Sequence, residues 1–392
     1  MVRGRGATLA GRVGLVVLAL ALAVPTAVVA QLRNQVTELD VEALVDPPPT
    51  VEEETSTGTE DPNAGEPVNI LLIGSDARSA DGINDSVPTV LADTHIVVHV
   101  SADRSRVELV SIPRDTMVQI PECTTTSGAT IPARFDMYNS AFSYGWKTGQ
   151  DRESAVACDL NLAQSTTGLS FDGFVLVEMG GFIDMVDAMG GIDICIPEPI
   201  DVPKAQLVLD AGQQTLGGRD ALGYARVRVG IGNGTDPERI ERQQHLMSAF
   251  IDDALSHNIL LDAPELYGMA EAALRALSVS PSLNSLRELA GLGLSLQGLR
   301  SSDVTFVTTP TEAYPPDTNR LQWTVETREI WERLREDEPL AGEPEDETSS
   351  EEATGDPADE TESPVEEESA ETEPPGGDGG FGSSAEELDT AC

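Results

Sequence analysis

The chain has 392 residues, of which 68 are aspartate or glutamate and 24 are lysine or arginine, giving a formal net charge of -44. A charge of this sign and size argues against nucleic acid as a partner, because DNA and RNA are themselves polyanions. The segment after Arg335 contains no basic residue, and this shift in composition predicts one globular body with flanking tails.

The N-terminal end has the pattern of a membrane anchor. Residues 1–12 include three arginines and residues 13–32 include no charged residue, which is about the length that a bilayer-spanning helix needs. With the arginines in the cytoplasm, the rest of the chain would lie outside it. We therefore predict a single-pass protein of the cell membrane, held there by a signal-anchor at 13–32 that follows a cytoplasmic basic segment. A cleaved signal peptide, ending near Gln31, is the alternative.

Two segments have too little apolar surface to fold alone. Residues 33–67 are acidic and rich in proline, and they predict an extended linker. Residues 336–392 are dominated by Pro, Glu, Ser, Thr and Gly, and they predict a disordered acidic tail. The domain between them is therefore predicted at residues 68–335.

Apolar runs and periodicity predict alternating strands and helices in this domain. The predicted strands are 68–74, 93–101, 106–113, 174–178, 192–196 and 304–308, and the predicted helices are 138–146, 153–166, 181–189, 214–225, 237–257, 264–277, 283–296 and 326–335. The second and third strands predict a hairpin, and the run 174–196 predicts a strand, helix, strand unit. Together these patterns indicate an α/β domain, in which ligand groups gather at strand ends.

Charged residues lie at the ends of several predicted elements. They are Asp76 with Arg78, Asp93, Arg114 with Asp115, and a segment at 224–244 that contains Arg226, Arg228, Arg239, Arg242 and Gln243. A helix with Asp236 as its cap and Pro237 at its first position places Arg239, Arg242 and Gln243 on one face. In extended chain, Arg226 and Arg228 would share a side.

These residue types suit phosphoryl chemistry. Guanidinium groups beside a helix N-terminus bind phosphate or pyrophosphate, because the planar fork holds oxyanions through two hydrogen bonds. Carboxylates bind Mg²⁺ or Mn²⁺, with water and substrate phosphates in the remaining coordination positions. The alternative for each pair is an ordinary ion pair, and for the 224–244 segment a surface row of charge.

Seven stretches occur in an order that resembles a known family. They are IGSDAR at 73–78, ADT at 92–94, SIPRDT at 111–116, NSAFSYG at 139–145, GFIDMVDAMGGIDICIPEPI at 181–200, LDAGQQTLGGRDALGYARVR at 209–228 and DPERIERQQ at 236–244. In these stretches the chain resembles the LytR-CpsA-Psr proteins of bacterial cell envelopes. The resemblance implies an α/β domain with a central mixed β-sheet and helices on both faces. It also implies a metal-dependent phosphotransferase that moves a glycopolymer from an undecaprenyl-pyrophosphate carrier to peptidoglycan, with side pyrophosphatase activity.

The resemblance also implies roles for single residues. Asp76 and Asp93 would hold the Mg²⁺ or Mn²⁺ ion, Arg114 would act in catalysis, and Asp93 and Asp115 are the candidates for the general base. The pyrophosphate would bind to Arg78, Arg114, Arg226, Arg228, Arg239, Arg242 and Gln243. The chain departs from the family pattern at Leu91 and Met137, where family members commonly carry cations, and Arg134 could replace the second of these.

The cysteines and histidines leave alternatives open. Dispersed cysteines in an exported chain favour a disulfide over a zinc site, and Cys123 with Cys158 is the favoured pair, although Cys195 competes for either partner. His95 and His99 share a strand face with Asp93, so a transition-metal site is conceivable, but packing is the favoured interpretation.

Two other functions compete with the phosphotransferase. A module that binds a polyprenyl-phosphate lipid and regulates envelope assembly without turnover would explain the missing cations near Leu91 and Met137. A secreted scaffold would instead use its acidic tail to capture Ca²⁺ or basic partners.

Overall fold

The computed structural model describes residues 37–45, 61, 63–76, 90–227, 236–256, 276–283, 286–341 and 381–389. The predicted segments 1–12 and 13–32 lie outside these residues, as do much of the linker and residues 264–275 of the predicted helix at 264–277; Leu277 begins a strand instead. Within the described ranges, no helix combines the length and the apolar character that crossing a bilayer requires.

The described residues form eighteen strands and eight α-helices. The strands are β1 (Thr37–Glu38), β2 (Val68–Ser75), β3 (Ala92–Val100), β4 (Val107–Ser111), β5 (Met117–Ile120), β6 (Cys123–Thr124), β7 (Thr130–Ile131), β8 (Arg134–Met137), β9 (Gly173–Glu178), β10 (Ile192–Ile196), β11 (Ile200–Val202), β12 (Leu207–Leu209), β13 (Gly212–Leu216), β14 (Leu277–Val279), β15 (Val304–Thr308), β16 (Thr311–Ala313), β17 (Leu321–Trp323) and β18 (Ser383–Ser384). The helices are α1 (Ser140–Gly149), α2 (Arg152–Thr167), α3 (Met179–Ala188), α4 (Gly218–Arg226), α5 (Asp236–Ser256), α6 (Leu286–Ser295), α7 (Glu326–Arg335) and α8 (Ala385–Asp389).

A mixed sheet of eight strands is the centre of the domain. Its order is β1-β14-β9-β2-β3-β4-β15-β18. The pairs β2 with β3 and β3 with β4 are antiparallel, whereas β2 with β9 and β4 with β15 are parallel. The hairpin expected from the second and third predicted strands is therefore confirmed, and the sheet is mixed as the resemblance implied.

Successive side chains on the central strands point to opposite faces, and each face is covered by helices. On one face, Leu71 and Val97 pack in a core with Phe142 of α1 and Leu162 of α2. On the other face, Ile96 packs with side chains that include Met247 and Ile251 of α5. The arrangement with helices on both faces is confirmed, because α1 and α2 pack on one face and α5 packs on the other.

The predicted strand, helix, strand unit at 174–196 is wrong in one respect. Strand β9 joins the central sheet, but β10 pairs antiparallel with β13 in a separate two-stranded sheet. Residues 212–216 therefore form a strand, and helix α4 begins at Gly218 rather than near 214. A small second core, which includes Ile194, Leu216 and Tyr224, forms around these elements and positions the C-terminal end of α4.

Helices α1 and α2 cross so closely that one glycine is required between them. A Cβ atom on Gly145 would lie 2.3 Å from the carbonyl oxygen of Ser154 and 2.7 Å from the Cα of Ala155. Both neighbours are backbone atoms, so neither can move without shifting α2. The glycine of the NSAFSYG stretch thus serves helix packing.

We expect Gly145→Ala to lower the free energy of unfolding by about 2 kcal/mol, because the added methyl group overpacks two backbones. Gly293→Ala is the matched control, since Gly293 also lies in a helix but has open space around its Cβ position. The control should be neutral or slightly stabilising. Chemical denaturation of both variants measures the difference, and equal midpoints would contradict the close crossing.

Part of the predicted linker belongs to the domain. Strand β1 pairs with β14 at the sheet edge, and Leu39 and Val41 are 4% exposed within the main core. Asp61 accepts a hydrogen bond from Nε of Arg104 at 2.8 Å. The prediction of an unfolded linker is therefore wrong for residues 37–45, because its few apolar side chains suffice to fill one edge of the sheet.

Parts of the predicted tail are also folded. Asp337 accepts a hydrogen bond from the backbone N–H of Ala102 at 3.0 Å, and its carboxylate lies 3.1 Å from Nε2 of His99. Leu340 is completely buried, and its carbonyl accepts the backbone N–H of Phe381 at 2.7 Å. Strand β18 then pairs with β15, and α8 packs on α5. The prediction of a disordered tail is wrong for residues 336–341 and 381–389, while residues 342–380 lie outside the described chain.

Candidate active site at the edge of the sheet

The antiparallel pair β2 and β3 brings the first two carboxylates to one edge of the sheet. Asp76 follows β2 directly, and its Oδ1 accepts the backbone N–H of Leu91 at 2.7 Å. Asp93 lies at the start of β3, beside an irregularity in the pairing between Gly74 and Ser75. A Cβ on Gly74 would lie 2.9 Å from the Cβ of Thr94, so glycine allows the two strands to approach here. This edge is therefore the one where the C-terminal end of β2 meets the N-terminal end of β3.

The segment that follows β4 places a third charged group, Arg114, at the same edge. Nη1 of Arg114 donates to Oδ1 of Asp93 at 2.5 Å, and the two side chains are 15% and 28% exposed. Nε of Arg114 lies 3.8 Å from Oδ2 of Asp115. Partial burial makes this pair stronger than a surface ion pair, and it leaves both groups reachable from solvent.

Helix α5 approaches the same edge from the face of the sheet opposite to α1 and α2. Arg239 is 3% exposed, and its Nη2 donates to the carbonyl oxygen of Asp93 at 3.0 Å. Gln243, one turn later, donates through Nε2 to the carbonyl of Ala225 at 3.2 Å and accepts the hydroxyl of Thr94 at 3.4 Å. The predicted shared face of α5 is confirmed, and it faces the start of β3.

Arg242 connects α5 to the end of α4. Its Nη2 donates to the carbonyl of Val227 at 2.5 Å, while its buried Nε has no hydrogen-bond partner among the described residues. Burial lowers the pKa of Arg242 and raises the pKa of its neighbour Tyr224 to about 12. A buried guanidinium with an unused donor is stabilised by an oxyanion, because the anion offsets the cost of desolvation.

The structure places the predicted site residues as follows. Those joined at the edge are Asp76, Asp93, Arg114, Asp115, Arg239, Arg242 and Gln243. Arg226 is the exposed last residue of α4, so the expectation of an extended chain with Arg226 and Arg228 on one side is wrong at Arg226. Arg78 and Arg228 lie outside the described residues. The assignment of individual roles to these residues stays a prediction.

Sequence reasoning missed one residue of the site. Nη1 of Arg320 donates to Oδ1 of Asp115 at 3.2 Å, and the backbone N–H of Leu321 donates to the carbonyl of Asp115 at 3.1 Å. Arg320 lies in a loop, 205 residues after its partner. Nothing in its local sequence marks it, because the contact depends on where Leu321 at the start of β17 bridges to Thr116.

Contacts in the structure bear on two other expectations, one about Arg134 and one about His95 and His99. The guanidinium of Arg134 stacks on the ring of Tyr144, 4.1 Å from its centroid, and its replacement of the missing cation beside Met137 stays a prediction. His95 lies 3.0 Å from Asp159, and His99 contacts Asn69 and Asp337. The two histidines therefore serve packing, since i and i+4 on a strand are about 13 Å apart, too far to share a metal ion.

The favoured disulfide is present. Cys123 and Cys158 are bonded, with their Cα atoms 5.4 Å apart, and the bond ties β6 to α2. Both residues pack with Ile131 and Tyr144 in a small cluster formed by β6, β7, α1 and α2.

The carboxylates at the edge fit a divalent ion only together with a ligand. In the described part of the chain, no group of three or more His, Cys, Asp or Glu side chains could hold a metal ion. Asp76 and Asp93 supply two carboxylates at one edge, and Mg²⁺ is typically bound by one or two carboxylates plus substrate phosphates. The donor set thus fits Mg²⁺ or Mn²⁺ bound together with a phosphate substrate.

Comparisons with known proteins agree on one family. The sequence model of the LytR_cpsA_psr family matches residues 38–336. The chain is 30% identical over 276 residues to the cell wall biosynthesis protein LcpA of Corynebacterium glutamicum, a match that covers 64% of this chain and 52% of the relative. It is 31% identical over 191 residues to TagV of Bacillus subtilis, named a polyisoprenyl-teichoic acid–peptidoglycan teichoic acid transferase, which covers 47% of this chain and 43% of TagV. The chain thus spans about half the length of these relatives.

Solved structures show the same fold. A LytR-Csp2A-Psr enzyme from Actinomyces oris superposes with a TM-score of 0.52 at 20% identity, over 76% of this chain and 96% of that chain. The crystal structure of Bacillus subtilis TagV superposes with a TM-score of 0.52 at 23% identity, over 70% of this chain and 97% of that chain. The eight-stranded mixed sheet and its covering helices therefore represent an established architecture.

Proposed function

Because this chain belongs to the LytR_cpsA_psr family, we propose that it is an extracytoplasmic phosphotransferase. It takes a glycopolymer from an undecaprenyl-pyrophosphate carrier and attaches it to peptidoglycan through a phosphodiester. The relatives named as teichoic acid transferases support the reaction class. The predicted anchor at 13–32 would hold the domain at the outer face of the cell membrane.

A single observation supports this proposal most strongly. The Arg114–Asp93 pair and the Arg239, Arg242 and Gln243 face of α5 meet at one edge of the sheet, although they come from different layers. Phosphoryl transfer needs positioning and neutralisation of phosphate oxygens more than it needs a nucleophilic side chain. Converging guanidinium groups supply both.

The reaction forms one bond and breaks one. The oxygen of a peptidoglycan hydroxyl attacks the glycan-bearing phosphorus, and the P–O bond to the bridging oxygen breaks, so that polyprenyl phosphate leaves. The hydroxyl proton passes to a carboxylate of the site. With Asp76 and Asp93 assigned to the cation, the carboxylate that remains in contact with Arg114 is Asp115.

The position of each residue in the site assigns its role in the proposed reaction. Arg242, with its buried unused Nε donor, and Arg226, exposed at the end of α4, bind the diphosphate of the donor, part of which leaves as polyprenyl phosphate. Arg114 lies between Asp93 and Asp115 and stabilises the charge that develops on the transferred phosphoryl group. Arg239 holds the carbonyl of Asp93 and so keeps β3 in position. Mg²⁺ or Mn²⁺, when bound to Asp76 and Asp93, would add positive charge against the phosphate oxygens.

The experiment uses the full-length chain with a synthetic polyprenyl-diphosphate oligosaccharide, peptidoglycan fragments and Mg²⁺. We expect a phosphodiester-linked glycan on the fragments, release of polyprenyl phosphate, and loss of both products when Mg²⁺ is chelated. Tight binding of the lipid without any Mg²⁺-dependent product would overturn the proposal and support the non-catalytic regulator instead.

Arg242→Ala tests the assignment within this assay. We expect the KM for the diphosphate donor to rise about tenfold, because one charged hydrogen bond to the bound donor is lost. Arg333→Ala is a matched control, since Arg333 pairs with Glu329 on the surface of α7. An unchanged donor KM in Arg242→Ala would remove this residue from the site.

A further inference from the structure

An exposed phenylalanine on the hairpin formed by β5 and β8 contacts a second aromatic ring that lies outside the hairpin. In the described part of the chain, the exposed large hydrophobic side chains are Phe135 at 51%, Val208, Leu294 and Val325. Phe135 is the aromatic residue among them, and its ring lies 5.9 Å from the ring of Tyr314 at an angle of 47°. A single exposed phenylalanine is ordinary, but a pair of accessible rings is a ready binding surface.

The side chains on the two faces of the hairpin have different surroundings. Arg134 and Asp136 point to one face, where both contact Tyr144 of α1. Phe135 points to the other face, in register with the exposed side chain of Gln119. The outer face therefore combines two aromatic rings with an amide, which is the mixture of apolar surface and oriented polar groups that small-molecule sites use.

This outer face is fixed to the loop of the proposed catalytic arginine. The backbone N–H of Tyr314 donates to the carbonyl of Arg320 at 2.9 Å, and Arg320 donates to Asp115 at 3.2 Å. Asp115 is the neighbour of Arg114 in the chain and also lies 3.8 Å from its Nε. A short series of contacts thus runs from the aromatic pair to the site.

The proposed chemistry requires two substrates to arrive from opposite sides. In phosphoryl transfer, the attacking and leaving oxygens lie roughly in line through the phosphorus. Arg242 of α5, which would bind the donor diphosphate, reaches the edge from one layer of the fold. The β5–β8 hairpin belongs to the opposite layer, where Val118 and Ile120 pack with α1 and α2. The acceptor would therefore enter over the hairpin.

We propose that the Phe135–Tyr314 face is the subsite for the acceptor glycan strand of peptidoglycan, an inference that rests on the proposed function. Pyranose rings present apolar C–H faces that stack on aromatic rings, and their hydroxyl groups suit the Gln119 amide. A chain of net charge -44 repels anionic polymers, whereas the sugar backbone itself is uncharged. The subsite positions one sugar hydroxyl beside Arg114.

The test measures binding and transfer separately with the full-length protein. Phe135→Ala and Tyr314→Ala are titrated with soluble, uncrosslinked peptidoglycan strands, and the acceptor KM is measured in the transfer assay. We expect each variant to weaken strand binding and to raise the acceptor KM about tenfold. Hydrolysis of the donor diphosphate in the absence of acceptor should stay unchanged, because that reaction does not use the hairpin.

Two exposed side chains on other elements serve as controls. Leu294→Ala and Val325→Ala remove apolar groups that are 53% and 79% exposed, and both should bind strands like the unaltered protein. Because Phe135 and Tyr314 lie on different elements, a folding defect in one variant leaves the other as an independent measurement.

The outcomes separate this subsite from the proposed function. Strand binding that is sensitive to Phe135, in a protein that transfers nothing, would retain the subsite and reject the phosphotransferase. Transfer with an unchanged acceptor KM in both variants would reject the subsite alone. Loss of binding to phosphatidylcholine vesicles, without loss of strand binding, would assign the face to lipid and also reject it.

Discussion

Replacing Arg114 with alanine is expected to lower kcat for glycan transfer by about three orders of magnitude, the effect typical of losing a preorganised cation at a transferred phosphoryl group. Arg114 donates to Asp93 and lies beside Asp115, so its guanidinium is held in place before substrate binds. Since the charge on the phosphoryl oxygens is redistributed in the transition state, the loss should fall mainly on kcat. Single-turnover kinetics at saturating donor measures it.

Arg114→Lys and a surface arginine complete this experiment. Lysine keeps the charge but not the planar fork that contacts two groups, so we expect it to restore less than a tenth of the lost rate. Arg300→Ala should be as active as the unaltered chain, because Arg300 is 82% exposed and pairs with Asp303 across i,i+3. A kcat within threefold of normal in Arg114→Ala would remove this residue from catalysis.

Removing the Cys123–Cys158 disulfide is expected to lower the free energy of unfolding by about 4 kcal/mol, the value that chain entropy assigns to a loop of this length. The sequence separation of the two cysteines is 35 residues. The cross-link restricts the unfolded chain, and in the folded state it ties β6, which lies between β5 and β8 in the chain, to α2. Denaturant unfolding of a Cys123→Ala, Cys158→Ala double variant measures the loss.

The accessibility of this disulfide provides the control. Cys123 and Cys158 are 4% and 1% exposed, so a reductant should not reach the bond until the domain opens. Reduction of the unaltered chain should therefore be slow under native conditions and fast in denaturant, whereas the double variant should not respond at this site. A denaturation midpoint equal to that of the unaltered chain would contradict a stabilising role.

Local patterns predicted much of the fold correctly. The strands Ile192–Ile196 and Val304–Thr308 and the helix Glu326–Arg335 lie within the residues expected for them. The apolar residues of each of these elements repeat with a single period, and a short element with one clear period fits few other secondary-structure assignments. The hairpin of β3 and β4 was predicted for a similar reason, because a turn between two apolar runs brings them together without any distant contact.

The candidate site was partly predicted for a different reason. Arg239, Arg242 and Gln243 share a face at helical spacing, so the sequence already specified which side chains lie together. Asp76, Asp93 and Arg114 were recognised as ends of strands, and the sheet places those ends along one edge. Each of these inferences needs only the period of a single element.

The tertiary structure alone decided the features that depend on distant partners. Strand β10 leaves the central sheet for β13, Arg320 reaches Asp115 across 205 residues, and residues 381–389 return to the edge of β15. No repeat or spacing in the sequence predicts these contacts. Each contact depends on which strand edge or charged group lies nearby once the other elements have packed. The sequence thus determined the elements and the chemistry they carry, whereas packing determined which elements meet, because apolar burial is not directional and does not specify a partner.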